Sequence, residues 1–263
     1  MLKRELRVNF RSFVTWTTIL MILFLAVFLI YPSIITSDSM NSLNEMIKVF
    51  PEDLLRAFNM DISSIDSAFG WIKTEGFVFV LLITGIYGGI LGSSILLKEE
   101  NDKTIEYLNS LPVKRTQVVM NKAAVGILYI LLMIIVLGIF NYIGLALSGE
   151  FDKRSYLLLS ITPVFSSVVI FSFCLFLSTF THKTKNTIGL SLGIVFASYF
   201  LNVISELSEE TEMLKYISVF TLADIRNVIV EVKINPYLVT VAMGLMIAFI
   251  GLTVVRYNKK ELV

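Results

Sequence analysis

Six stretches of this chain are too long and too apolar to be anything but membrane-crossing helices. They cover residues 13–35, 77–97, 123–147, 156–180, 187–205 and 236–257. A hydrocarbon core of about 30 Å is crossed by about 20 helical residues, each rising about 1.5 Å. None of the six carries an acidic side chain, and the only base, Arg256, stands at the very end of the last. A charge at the bilayer centre costs at least a few kcal/mol, so segregation of this kind is what a bilayer demands. Only 16% of the residues are charged and 56% are hydrophobic, against about 25% and about 45–50% in soluble domains. The fifth stretch is the shortest and most polar. The chain therefore reads as a single all-α integral membrane domain over 1–263.

The first stretch follows Lys3, Arg4, Arg7 and Arg11, as a signal peptide would. Its 23 uncharged residues exceed the roughly 7–15 of a signal core, so it is expected to be a retained membrane helix. Residues 2–12 would form a basic interfacial helix ahead of it. With the N-terminus inside, the inner segments 1–12, 98–122, 181–186 and 256–263 hold 4, 5, 2 and 3 Lys or Arg, which is 14 of the 22 in the chain. The outer segments 36–76, 148–155 and 206–235 hold the other 8, while the acids divide 6 inside and 15 outside. The positive-inside rule thus gives both termini in the cytoplasm, and a plasma (inner) membrane is the expected location.

Two outer segments are too long to be turns. In the first, Pro51 followed by Glu52 and Asp53 suits a helix N-terminus, and Leu54, Leu55 and Phe58 give it an apolar face. In the second, 217–222 and 229–232 either dip into the outer leaflet or form a surface helix packed on the others. Gly85/Gly89, Gly88/Gly92 and Gly189/Gly193 stand four apart, which lets another backbone approach closely. Packing within the chain and a dimer interface both fit. Pro163 and Pro32 should kink or end their helices.

The chemistry that is missing narrows the function. No Gly-x-x-x-x-Gly-Lys-Ser/Thr loop is present, so the chain does not bind ATP by that route. His182 is the only histidine, too few for a typical zinc site or a Ser/His/Asp arrangement. The buried carboxylates or histidines of an ion-coupled carrier are also absent. The helices offer only Ser, Thr, Asn and Tyr, among them Asn141, Tyr142, Ser166, Ser167 and Asn202, which suit packing between helices or the lining of a path. Cys174 is alone, so there is no disulfide framework. No enzyme active site, metal or nucleic-acid partner is expected, and energy for transport would have to come from another subunit.

The most distinctive segment joins the second and third stretches, at 98–122. Ile105, Leu108 and Leu111 recur every three residues, as in a short amphipathic helix. Thr104 is suited to cap it and Pro112 to end it. On physical grounds alone this is a rigid charged elbow, or a helix lying on lipid headgroups. The run Glu99, Glu100, Thr104, Ile105, Glu106, Leu108, Leu111, Pro112, Val113, Arg115 and Lys122 resembles the signature of the type-2 ABC transporter permease family. It departs from that pattern at 101–103, where a Glu-Arg-Gly-like run is common. The basic lead-in, six spans, large first outer loop and outer segment before the last helix resemble the family over the whole chain.

The resemblance implies a permease that pairs with two copies of a separate ABC ATPase subunit, which bind ATP and Mg. It also implies a second permease, as homodimer or heterodimer. Residues 98–122 would be the coupling helix docked on the ATPase, with Glu99, Glu100, Thr104, Ile105, Glu106, Leu108, Leu111, Pro112 and Arg115 at that interface and 181–186 a smaller contact. A path between the second and fifth helices would export an amphipathic or hydrophobic substrate, such as a peptide toxin, antimicrobial peptide or drug. The alternative is a non-transporting membrane sensor or anchor that binds a cytoplasmic regulatory partner through the same elbow.

Overall fold

The computed structural model describes residues 2–34, 67–105 and 112–260. The amphipathic pattern around Leu54, Leu55 and Phe58 lies outside these residues, as do Glu106, Leu108 and Leu111. Six helices are long and apolar enough to cross a membrane. They are α1 (Leu2–Ile34), α2 (Phe77–Ile95), α3 (Arg115–Ser148), α4 (Lys153–Ser178), α5 (Thr184–Ser205) and α6 (Pro236–Lys259). Among the described residues there is no strand.

The expected basic lead-in and first span are one continuous helix, α1, of 33 residues. At about 1.5 Å per residue it is about 50 Å long, well beyond the hydrocarbon thickness. Its first turns therefore project past the membrane core on the same axis. Likewise α3 starts at Arg115, so the last third of the expected 98–122 elbow is already helix. Strong helix formers such as Gln117, Met120 and Lys122 give the chain no reason to wait for the apolar run. In α4 the break falls where proline demands it: Lys153–Ile161 ends at Thr162, and Pro163 opens the next segment at its first position, where its missing N–H is no loss. Asp152 and Asn235 cap the starts of α4 and α6, accepting from the backbone N–H of Arg154 and Tyr237 at 3.0 Å each.

α2 sits at the centre, packed against α4 and α5. Glycines make this possible. A Cβ on Gly88 would meet the Ser167 carbonyl at 2.9 Å, and one on Gly92 the Phe171 carbonyl at 2.4 Å, so α2 and α4 touch backbone to backbone. Gly89 faces Val195 of α5, while Gly85 faces Phe220 and Ile170. Gly189 and Gly193 have nothing within 4 Å and point away from the chain's own bundle. Hydroxyls add cross-links: Ser93 Oγ lies 2.5 Å from Ser191 Oγ, and Ser167 donates to Thr84 Oγ1 at 3.0 Å. Asn202 accepts from Thr221 at 3.1 Å. Tyr142 packs its ring against Phe151 and Tyr156.

Ahead of α6, the segment contains a 3-10 turn at Val219–Ala223 and a short helix at Ile225–Glu231. Phe220 is buried against Gly85 and Tyr199. Gly85 lies about 12 Å along α2 from Phe77 at 1.5 Å per residue, so this turn is inserted among the helices well below their ends. Ile217 and Val230 remain exposed. The outward faces of α1 and α6, including Ile22, Leu25, Leu29, Met243, Ile247 and Val255, are apolar and uncovered, as suits helices bordered by hydrocarbon.

Candidate functional site

The start of α1, the end of α2, the start of α3, the 181–184 turn and the end of α6 converge at one end of the bundle. Helices that alternate in direction bring these five segments to the same side. α2 passes through Leu96 and Leu97 into one further helical turn, Lys98–Asn101. Successive side chains on a helix diverge by about 100°, and here three consecutive residues reach three different neighbours.

Glu99 turns toward α3. Its Oε2 accepts from Lys122 Nζ at 2.8 Å, and Arg4 stands 3.9 Å from its other oxygen. Lys122 also donates to Glu5 Oε2 at 3.4 Å and to the Ile95 carbonyl at 2.6 Å. All three ammonium protons thus have acceptors. The Lys122 side chain is 0% exposed, so these partners are what makes its burial tolerable. Alongside, Tyr129 Oη donates to the Leu6 carbonyl at 2.5 Å, fastening α1 to α3.

Glu100 turns the other way. Lys260, just past α6, donates to its Oε1 at 2.7 Å and to the Thr181 carbonyl at 2.7 Å. His182 Nδ1 lies 3.0 Å from its Oε2. Asn101 links to α5: its Nδ2 donates to Thr184 Oγ1 at 2.6 Å and its Oδ1 accepts from the Thr184 N–H at 3.4 Å.

The turn then closes with paired backbone bonds, Thr104 N to Glu99 O at 2.9 Å and Lys103 N to Glu100 O at 3.4 Å. This is a Schellman ending, in which the residue at the left-handed position is usually glycine. Lys103 holds that position with φ 54. The bend thus forms at the site of the 101–103 departure, with a side chain in place of the usual glycine. On the far side of the loop, Arg115 Nη1 donates to the carbonyls of Lys260 at 2.8 Å, Asn258 at 3.3 Å and Tyr257 at 3.4 Å. These carbonyls lie at the C-terminal end of α6, where the helix itself supplies few donors.

The residues expected at a docking surface therefore separate. Glu99 and Glu100 are both buried, 3% and 8% exposed, and their carboxylates are paired inside the chain. Ile105 is also buried, Thr104 and Arg115 are partly covered, and Pro112 is exposed. Sequence reasoning missed Glu5, Asn101 and Lys260. Glu5 is visible as the one acid among four bases and Asn101 only as part of the 101–103 departure, whereas nothing marks Lys260. Among the described residues, no group of three or more His, Cys, Asp or Glu is placed to hold a metal ion.

Six apolar crossings and a polar, internally paired end define a multi-pass integral membrane protein. The chain belongs to the ABC-2 transporter family: the sequence model for ABC-2 family transporter proteins matches residues 1–262. Members of this family are non-catalytic membrane subunits of transporters. No curated protein and no solved structure matches the chain.

Proposed function

We propose that this chain is the permease subunit of an ATP-driven exporter, with its 98–122 segment docked on a separate ABC ATPase subunit. Family membership supports the transporter assignment. The observation that carries the mechanism is the anchoring of both ends of that segment. Glu99, Glu100 and Asn101 hold one end, and Arg115 and Lys122 hold the other. A push on a loop held this way is passed to α2 and α3 rather than absorbed locally. Glu99 and Glu100 would set the loop's position from beneath, while Glu106, Leu108, Leu111 and Pro112 would meet the ATPase.

In the working complex two permeases, identical or related, would each bind one ATPase, and those subunits would hold ATP and Mg. Both termini and the 98–122 segment would lie in the cytoplasm, as the Lys and Arg distribution favours. The path would run between α2 and α5. Phe79, Ile83, Ile86 and Ile90 form a partly uncovered stripe on α2, and Gly189, Gly193 and Ala197 an uncovered one on α5. Walls of this kind suit an amphipathic or hydrophobic substrate, such as a peptide toxin, antimicrobial peptide or drug. The test is affinity purification of the tagged chain from its native membrane. A Walker-type ATPase should co-purify with the wild type and be lost with Leu108→Asp or with charge reversal at Glu106. Recovery of the chain without any ATPase would overturn the proposal.

A further inference from the structure

Lys260 touches the loop at both of its roots, although it lies beyond the last membrane helix. Its ammonium is held by Glu100 Oε1 and the Thr181 carbonyl, each at 2.7 Å, and its own carbonyl accepts from Arg115 at 2.8 Å. Glu100 stands near the α2 end of the 98–122 loop and Arg115 at the start of α3 within it, so one residue of the α6 end joins the two. The ion pair is shielded, with side chains 5% and 2% exposed. His182 is the other charge-capable group on Glu100, and its ring is 54% exposed. A second latch lies one turn back, where the Arg256 guanidinium sits 4.9 Å from the centre of the Phe180 ring, a favourable cation–π distance. Asn258 also donates to Thr116 Oγ1 at 3.4 Å.

We propose that Lys260 is a positioning residue: it clamps the two roots of the 98–122 loop to each other and to the 181 turn, and so fixes the distance between them. This rests on the coupling reading above for its functional consequence, but the clamp itself is testable on the chain alone. The physical reason is that a buried carboxylate deprived of its lysine must find another partner or draw in water. Either response releases the α2 root from the α6 end, which Arg115 still ties to the α3 root, and leaves the Glu99–Lys122 pair as the one charged link between the two roots described above.

The experiment places spin labels at Asp102→Cys and Met120→Cys, both exposed positions near the two ends of the 98–122 loop, in the full chain in lipid nanodiscs. Cys174 is fully buried and is left in place. The wild-type background should give a narrow distance distribution. Lys260→Met should broaden it by about twofold or more as the opened form becomes populated, with helix content unchanged, and Lys260→Arg should restore it. Lys260→Gln keeps a donor for Thr181, guards against poor folding of the Met variant, and should broaden the distribution as well. An unchanged distribution in Lys260→Met or Lys260→Gln overturns the proposal, as does broadening that appears only with general loss of helix. In the purified ATPase complex, Lys260→Met should alter ATP turnover without altering the amount of ATPase bound. If labels broaden as expected but no ATPase binds even the wild type, the coupling reading falls and the clamp stands.

Discussion

Lys122 Nζ lies 2.8 Å from Glu99 Oε2, between side chains that are 0% and 4% exposed. A buried pair of this kind gives little net stability, because desolvation offsets most of the attraction. What it gives is intolerance of change: removal of one partner strands the other in an apolar setting. The pair holds the end of α2 against the start of α3, with Glu5 bringing in α1.

Lys122→Met should therefore destabilise the chain by about 3–5 kcal/mol, the usual cost of breaking a buried pair from one side. Unfolding in detergent, followed by circular dichroism, measures this. The Lys122→Met, Glu99→Gln double variant should recover part of the loss, because the remaining carboxylate then has less unmatched charge beside it. Losses that simply add would show that the two groups act independently.

Lys103→Gly should stabilise the chain by about 1 kcal/mol, since a left-handed backbone costs about that much for a residue with a Cβ. The φ of 54 is the reason. Lys103→Val should do the opposite. Thermal midpoints of the two variants compared with wild type check the sign.

The glycines should divide by position rather than by motif. Gly92→Ala forces a Cβ to within 2.4 Å of the Phe171 carbonyl and should cost about 1–3 kcal/mol, as overpacking does. Gly189→Ala and Gly193→Ala meet nothing within 4 Å and should leave the isolated chain at least as stable. If these two face a second permease, a bulky Gly193→Leu should shift the assembled complex toward the monomer on size-exclusion chromatography without unfolding it.

Asp224 provides a pH signature. Burial raises its pKa above the ordinary carboxylate value, with Glu231 and Glu206 adding repulsion and the Asn227 side chain opposing the rise. A carboxyl whose folded pKa is raised binds its proton more tightly when folded. Its penalty is therefore absent below the unfolded pKa and grows as pH rises through the folded value. Asp224→Asn should remove that part of the pH dependence and gain stability at neutral pH relative to wild type, while matching it in acid below the ordinary aspartate value of 3.8. Unfolding midpoints at the two pH values test this. Asn also tolerates the left-handed φ of 48 found there.

The six crossings were legible in the sequence because the bilayer penalises each charge locally, wherever the chain finally folds. The ends of the helices were less so: α1 and α3 run past their apolar stretches because polar helix formers continue them. The loop signature singled out 98–122, yet it could not show that Glu99 and Glu100 face inward. Their partners lie 23, 82 and 160 residues away in the pairs Glu99–Lys122, Glu100–His182 and Glu100–Lys260. No local pattern marks contacts of that range. Lys260 was counted as one more inside charge, whereas in the folded chain it is a buried link.

The central claim is that 98–122 couples this membrane domain to an ATPase, and ATP turnover in proteoliposomes reconstituted from the permease and separately purified ATPase tests it most directly. With equal amounts of ATPase present, Leu108→Asp should leave turnover at the rate of the ATPase alone, while wild type runs at a clearly different, permease-dependent rate. Identical turnover by wild type and Leu108→Asp, with the ATPase bound equally in both, would contradict the account.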